Sequence, residues 1–314
     1  MAMLRDEVGA QTPLISEPDA FGDDLQLALY VAYELHYRGF TGVDPDKEWD
    51  PDVLTLRREL ETRFEQALRD LVDPHADAAA LSAELAALGG PPTDAGPAAH
   101  LICHPDLGRL REIVVHRSLY HLKEADPQAF VLPRLSGPAK SFVAAVEFDE
   151  YGGGDPGRSH SDLFAELMRD LELDPAYGAY LEQVPAPMLA VVNLMSYCGL
   201  HRRLRGALIG QLATVELSSP LSSQRMVRVL RAHGCGARAE HFYAEHVVAD
   251  AVHERVMREA IAELITAEPD LLADVVFGIR AASLLDQRLD EHLRRSWQEG
   301  RTSLRQQGLE NSQP

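Results

Sequence analysis

The chain has 314 residues, of which 46% are hydrophobic, and its formal net charge at pH 7 is −19. This length and composition predict a globular protein with a substantial core, organised as one large domain. The negative charge argues against nucleic acid and anionic membrane surfaces as partners, because both carry the same sign.

Cysteine usage and the N-terminal sequence indicate the compartment. Cys103, Cys198 and Cys235 show no CxxC spacing, so neither a disulfide framework nor a thiolate zinc site is indicated. The N-terminal sequence has no apolar core of signal-peptide length, and no run approaches the roughly 20 apolar residues that span a bilayer. We therefore expect a soluble cytoplasmic protein.

Helical patterns follow one another along almost the whole chain. Residues 1–20 are polar and predict a flexible arm, whereas the Pro- and Gly-rich residues 89–99 predict a mobile surface loop. We expect one all-α domain over residues 21–300 and a flexible tail over residues 301–314. The predicted helices cover residues 25–37, 51–71, 76–88, 106–122, 137–151, 160–171, 187–198, 202–217, 224–232, 239–264 and 271–297.

The most informative stretch is residues 239–264, which predict one long helix. The middle of its inward face is polar, because three consecutive turns carry His246, Asp250 and His253. Burying these groups unpaired would cost on the order of 1–3 kcal/mol for each neutral group and more for the carboxylate. A bound metal ion would satisfy them. The whole face consists of Phe242, His246, Asp250, His253, Met257, Ile261 and Leu264.

Two other predicted helices carry a carboxylate where a core residue is expected. Glu216 is surrounded by small and apolar residues, and Glu150 continues an apolar stripe. Three glycines after Glu150 allow a sharp turn that returns His160 to its side. Glu147, one turn before Glu150, is the rival candidate on this helix.

This set of side chains predicts a particular kind of metal site. Carboxylates mixed with imidazoles suit iron or manganese, whereas structural zinc favours cysteine. Six candidate ligands are too many for one catalytic metal that keeps open positions, so two metals sharing a bridging carboxylate fit better. The competing interpretation is a helical binding or scaffold protein whose polar stripe forms a satisfied hydrogen-bond network.

In type, order and spacing these residues resemble the haem-oxygenase-like di-iron oxidases and oxygenases. Glu150 and His160 lie ten residues apart, Glu216 follows, and His246, Asp250 and His253 come about thirty residues later. The segment D-E-Y-G-G-G, which selects Glu150 over Glu147, resembles the branch of iron-containing redox enzymes and the N-oxygenase domain of streptozotocin biosynthesis. The resemblance covers roughly residues 109–254. It implies a bundle of about seven core helices that binds no haem, here with extra N-terminal helices.

The resemblance also implies how the ligands are shared. One iron would take Glu150 and His160 with one histidine of the helix, and the other iron would take Glu216 and Asp250 with the second histidine. Which histidine serves which iron stays open. Some members carry a further carboxylate on an earlier helix, and Glu124 lies at a suitable distance for it. A glutamate beside a lysine at a helix end is also typical of a surface ion pair.

The implied function is oxidation of a small molecule by O2 at two irons. Relatives either oxygenate an amine nitrogen or cleave a C–C bond of a fatty acid or amino acid, and we favour N-oxygenation of an amine or amino acid in specialised metabolism. A cofactor-independent oxidase on the same fold would not need Asp250 and Glu216 together. We expect a small-molecule substrate. The sequence leaves open whether the protein uses an external electron donor and whether it forms a homodimer.

Overall fold

The computed structural model describes Leu4, residues 19–90 and residues 96–305. All regular elements in these ranges are helical, so the predicted all-α fold is confirmed. The predicted terminal arm and tail fall mainly outside the described ranges, as do residues 91–95 of the predicted loop. Within the described ranges, the search for a helix long and apolar enough to span a bilayer finds none.

The helices follow the predicted order, and acidic or hydroxyl side chains cap several of them. Asp50, Asp77, Asp106 and Ser159 each accept a hydrogen bond from a backbone N–H in the first turn of the helix that follows. The α-helices are α1 Asp23–Glu34, α2 Pro51–Leu71, α3 Ala78–Leu88, α4 Pro97–Cys103, α5 Leu107–His121, α6 Asp126–Ala129, α7 Gly137–Glu150, α8 His160–Asp170, α9 Ala186–Leu200, α10 Arg205–Ala232, α11 Ala237–Ala267 and α12 Leu272–Gln298. Short 3-10 helices lie at Pro45–Trp49, Leu132–Arg134, Arg202–Leu204 and Pro269–Leu271.

Helix α11 is the centre of the bundle. It packs against α10, α7 and α8, while α10 also packs against α12, and α9 joins α12 to α1. Every residue of the predicted inward face of α11, from Phe242 to Leu264, is buried. The helices that carry the candidate ligands are therefore immediate neighbours.

One predicted break in the chain is wrong. Residues 202–217 and 224–232 were predicted as separate helices, but α10 runs continuously from Arg205 to Ala232 and contains Pro220. Proline removes one intrahelical hydrogen bond and bends a helix without necessarily ending it. Helix α10 has buried residues on both sides of the proline and packs against α11 and α12, which supports the continuous helix.

A close approach of two backbones fixes α10 against α12. A Cβ added to Gly278 would lie 2.0 Å from the carbonyl oxygen of Ala207, and one added to Gly210 would lie 2.1 Å from that of Val275. Only glycine fits at both positions, since the atoms met are backbone atoms that cannot move aside. The tight contact sets the position of α10, and with it the position of Glu216.

Candidate metal centre

The polar middle of α11 is fully enclosed. His246 is 5% exposed, and Asp250 and His253 are each 1% exposed. Their neighbours on the same face are core residues, so the long helix is held in place by apolar packing at both ends. The polar groups must therefore find partners inside the protein.

A glycine turn brings Glu150 and His160 together, as the sequence predicts. Gly152, Gly153 and Gly154 all have positive φ, which L-residues with a side chain rarely adopt. A Cβ on Gly152 would also lie 2.8 Å from the backbone of Ser159. The turn places His160 at the start of α8, with its Nδ1 2.6 Å from Oε2 of Glu150.

The candidate ligands form two adjoining groups that share one carboxylate. The first group is Glu124, Glu150, His160 and His246, and the second is Glu150, Glu216, Asp250 and His253. Within each group, one potential ligand atom from every residue lies within 4.8 Å of the others. Ligand atoms held about 2 Å from one metal are separated by up to about 4 Å, so a small contraction would close each group.

The structure separates the two histidines that the sequence left unassigned. His246 lies with Glu124, Glu150 and His160, whereas the Nδ1 atom of His253 lies 3.0 Å from Oε2 of Glu216. Asp250 and Glu216 occur in the same group, which a cofactor-independent oxidase would not require.

Glu124 is part of the buried cluster and not a surface residue. It is 3% exposed, and the neighbouring Lys123, at 2% exposed, pairs instead with Glu34 at 3.2 Å. The Nδ1 atom of His121 lies 2.9 Å from Oε2 of Glu124 and holds the carboxylate toward the interior. The surface-pair interpretation of Glu124 is therefore wrong, because Lys123 has a buried partner on α1.

Unsatisfied polar atoms test whether the residues suit a metal. Nε2 of His246 and Oδ1 of Asp250 are buried without a hydrogen-bond partner, and Nδ1 of His160 lies close to Glu150 without the geometry of a hydrogen bond. Buried polar atoms in proteins are almost always hydrogen-bonded, so three such atoms in one place indicate a missing ligand. The donor set, three imidazoles and four carboxylates, fits two iron ions.

Neighbouring groups fix the orientation of the histidine rings. Nδ1 of His246 donates to the backbone carbonyl of Phe242 at 2.7 Å, which directs Nε2 toward the first group. On the other side, Nε2 of His253 lies 3.2 Å from the carboxylate of Asp149, which directs Nδ1 toward the second group. Hydrogen bonds of this kind set the tautomer and raise the basicity of metal-binding histidines. Neither Asp149 nor His121 was singled out from the sequence, although His121 and Glu124 have the i, i+3 spacing of a helical pair.

The charges in the site raise the pKa values of His246 and His253, whereas burial and the nearby His246 lower that of His160. Burial lowers the pKa of His246, but the nearby carboxylate of Glu124, followed by those of Asp250 and Glu150, raises it to about 10. Burial likewise opposes the charged form of His253, whereas Asp250 and Glu216 raise its pKa to about 11. Without metal, protonated imidazoles therefore balance the carboxylates.

Two carboxyl groups of the site have pKa values above the ordinary value for glutamate. Burial raises the pKa of Glu216 to about 8, and the nearby Asp250 and Glu150 act in the same direction. The pKa of Glu150 is raised as well, first by burial and then by Glu124. Protons thus occupy positions that a divalent cation would take, and metal binding must displace them.

Glu147 lies outside both groups. It is 3% exposed, and both of its carboxylate oxygens are buried without a hydrogen-bond partner. Burial, followed by the charges of Glu150 and Glu216, raises its pKa to about 9. Of the two glutamates that competed on this helix, Glu150 is the one that joins both groups.

Comparison with known proteins identifies the family. The family model for iron-containing redox enzymes matches residues 111–287, a span that includes both groups of the candidate metal centre. Nitrosourea synthase from Streptomyces achromogenes subsp. streptozoticus is 28% identical over 166 residues, which are 52% of this chain and 35% of that protein. The chain thus spans about a third of the length of this curated relative.

Solved structures share the fold. Two crystal structures of a CADD-like protein of unknown function from Nostoc punctiforme PCC 73102 superpose with TM-scores of 0.56 and 0.55, at 13% and 12% identity. They cover 69% and 70% of this chain and 96% and 95% of their own chains. The fold likeness supports the predicted haem-oxygenase-like bundle, and the family match covers more than half of the sequence. The chain therefore belongs to the family of iron-containing redox enzymes.

Proposed function

We propose that this protein is a non-haem di-iron oxygenase that uses O2 to oxygenate the nitrogen of an amine or amino acid. The observation that carries the proposal is the pair of adjoining carboxylate and histidine groups that share Glu150. Carboxylates and imidazoles that project inward from facing helices are typical of di-iron carboxylate proteins in helical bundles.

The two groups would each hold one iron. Glu124, His160 and His246 would bind the first iron, and Glu216, Asp250 and His253 would bind the second, with Glu150 between them. His121 and Asp149 would fix the orientation of one ligand on each side. Two ferrous ions supply the electrons that activate O2.

The choice of nitrogen as the oxidised atom is supported by the relative. Its name, nitrosourea synthase, describes a product in which nitrogen carries oxygen. The matched region is only part of that protein, so we carry over the class of chemistry and not its substrate.

The stoichiometry of the proposed reaction requires a reductant. Oxygenating an amine converts R–NH2 and O2 into R–NHOH and water, which consumes two electrons and two protons besides the substrate. An external donor would have to supply these two electrons in each catalytic cycle. We therefore include an external electron donor in the proposal.

The test is anaerobic loading of the full chain with Fe(II), followed by exposure to O2. We expect two irons per chain by elemental analysis, an absorbance change on adding O2, and a mass increase of one oxygen atom in an amine substrate. If the protein binds no iron and its stability is the same with and without Fe(II), it would instead be a helical binding protein. Loss of carbon from the substrate would indicate C–C cleavage.

A further inference from the structure

A buried ion pair joins α1 to the turn that carries Glu124. Nζ of Lys123 lies 3.2 Å from Oε2 of Glu34, and the two residues are each 2% exposed. If one member of such a pair is removed, the other is left as an uncompensated charge in the interior, so each residue depends on its partner. The pair therefore fixes the end of α1 against the residue that precedes Glu124.

The carboxylate of Glu34 is held from several sides. The hydroxyl of Tyr177 lies 2.8 Å from both of its oxygens, and the backbone N–H of Arg38 donates to Oε1 at 3.3 Å. Hydrogen bonds to an ionised group are among the stronger ones in proteins. Together with the ammonium of Lys123, these donors restrict the carboxylate to one orientation. Glu34 therefore offers Lys123 a partner with a fixed position.

The same part of the chain contacts the turn in two further ways. The ammonium of Lys123 lies 4.6 Å from the ring centroid of Tyr30 and 4.3 Å from that of Tyr37. Cation–π contacts of this kind are strongest where the cation is desolvated. The guanidinium of Arg38 donates to the backbone carbonyl of Leu122 at 3.3 Å. The end of α1 and the residues after it thus hold two successive residues of the turn.

Glu124 differs from the other candidate ligands in its local structure. It lies in a turn between His121, where α5 ends, and Asp126, where α6 begins, whereas the other six lie in α7, α8, α10 or α11. Within a helix the repeating backbone hydrogen bonds set the direction of each side chain. In a turn, that direction depends on tertiary contacts. His121 orients the carboxylate of Glu124, and the contacts from α1 act on the backbone beside it.

The direction of Glu124 matters because its carboxylate must reach the histidines of the first group. Its Oε1 lies 3.9 Å from Nε2 of His246. Two atoms that bind one metal at about 2 Å are separated by up to about 4 Å, so this distance is close to the limit. A small rotation of the turn away from α11 would take Glu124 out of reach.

We propose that Glu34 is a positioning residue for the first group: through Lys123 it holds the turn from which Glu124 reaches His246. This inference rests on the metal centre of the proposed function. It extends the centre to a helix that lies before residue 111, where the match to the family begins. Loss of Glu34 therefore affects the first group and not the second.

The experiment is a titration of the metal-free full chain with Fe(II) under anaerobic conditions, in which calorimetry measures the affinity of both sites. The variants are Glu34→Gln, Glu124→Gln and the combination of the two. Asp24→Asn, at an exposed carboxylate on the same helix, is the matched control. Combining the two substitutions shows whether Glu34 acts through Glu124.

The expected results differ for each variant. Glu34→Gln weakens one of the two sites by about 10–100-fold, as is typical when a residue that supports a metal ligand is lost. In the protein that already carries Glu124→Gln, the same substitution causes no further loss at either site. Asp24→Asn leaves both affinities unchanged.

A second variant removes the ion pair without leaving a buried charge. Glu34→Leu combined with Lys123→Met replaces both residues by apolar ones, a change that buried ion pairs often tolerate. We expect the same loss at one site, because apolar packing does not fix the direction of the turn. Circular dichroism and urea unfolding check the fold of every variant, and this double variant decides if Glu34→Gln does not fold.

The outcomes separate this inference from the proposed function. Wild-type affinity in the charge-free variant, equal weakening of both sites, or a full additional loss in the Glu124→Gln protein overturns the positioning role, even if the wild type oxygenates an amine. Loss at one site only, and only while Glu124 is present, supports the role even if no nitrogen is oxygenated.

Discussion

At the scale of single residues, substituting Asp250 tests whether it is a metal ligand or a structural polar group. Its Oδ1 has no hydrogen-bond partner and lies 3.5 Å from Nδ1 of His253, which also faces Glu150, Glu216 and Asp149. Asp250→Ala therefore relieves repulsion among several carboxylates around one imidazole, and it leaves the best helix former in α11.

We expect the metal-free Asp250→Ala variant to be as stable as the wild type or more stable, and its iron content to fall from two per chain to one or none. Urea unfolding of the metal-free protein and elemental analysis of the loaded protein measure the two effects. A variant destabilised by about 1–3 kcal/mol that still binds two irons would show that Asp250 is structural.

Asp149 is the second residue whose role can be isolated. It is 53% exposed and contacts His253 from outside, so its loss removes no group from the interior. Asp149→Asn weakens the carboxylate–histidine hydrogen bond and lowers affinity at the second site, by about 10–100-fold. Titrating metal-free protein with Fe(II) should show this loss at one of two sites only. The exposed Glu259→Gln on α11 is the control, and equal affinities in all three proteins would refute a positioning role.

Glu147 gives the protein a pH dependence with a defined sign. Its folded pKa of about 9 lies above the ordinary value, so the folded state holds a proton that the unfolded chain releases. The free energy of unfolding therefore falls as pH rises from about 4.5 to 9. Glu147→Gln cannot ionise and loses this contribution.

The stability difference between Glu147→Gln and wild type is small near pH 5 and favours the variant by several kcal/mol near pH 8.5, because each pH unit between the two pKa values changes it by about 1.4 kcal/mol. Urea unfolding of the metal-free proteins at both pH values measures it. A difference that is the same at both pH values would show that Glu147 is not protonated in the folded state.

Residue chemistry explains which ligands the sequence could predict. His246, Asp250 and His253 interrupt an apolar stripe, so periodicity alone places them inside. Glu124 interrupts no apolar stripe, because it lies after the end of α5. Its burial accompanies the ion pair between the neighbouring Lys123 and Glu34 of α1. Its role depends on a tertiary contact between α1 and α5 that no local pattern contains. The sequence likewise could not assign one histidine to each group, because the assignment depends on ring orientations that tertiary contacts set.

At the scale of helices, α11 carries both histidines and Asp250 in a continuous core helix. Three enclosed polar groups without metal weaken its middle, because local opening lets water reach them. We expect Fe(II) to slow amide hydrogen exchange over residues 242–257 relative to the metal-free protein. Residues 258–264, whose buried side chains are all apolar, serve as the internal control. Identical exchange with and without Fe(II) would show that the metal does not stabilise this segment.

The site also depends on the close contact between α10 and α12. Gly278→Ala would place a methyl group 2.0 Å from the carbonyl oxygen of Ala207, so the helices must separate. We expect a loss of about 1–3 kcal/mol in unfolding free energy. Weaker iron binding should accompany it, because Glu216 moves with α10. Gly236→Ala, whose Cβ meets nothing within 4 Å, is the matched control.

Helix boundaries show where sequence reasoning was limited. The fully amphipathic helices were predicted closely, and α2 was predicted with the observed bounds of residues 51 and 71. The continuity of α10 through Pro220 was missed, since packing on both sides compensates for one lost hydrogen bond. The short helix α4 was also missed, because a Pro- and Gly-rich stretch shows no helical period before Pro97.

At the scale of the whole molecule, the shared carboxylate has a consequence for how the enzyme matures in the cell. Each metal group takes residues from several separate helices, and each is incomplete without α11, which follows α5, α7, α8 and α10 in the sequence. A nascent chain that lacks α11 therefore has no site in which iron could guide folding. Metal would therefore bind only after α11 has been synthesised and has packed against the earlier helices.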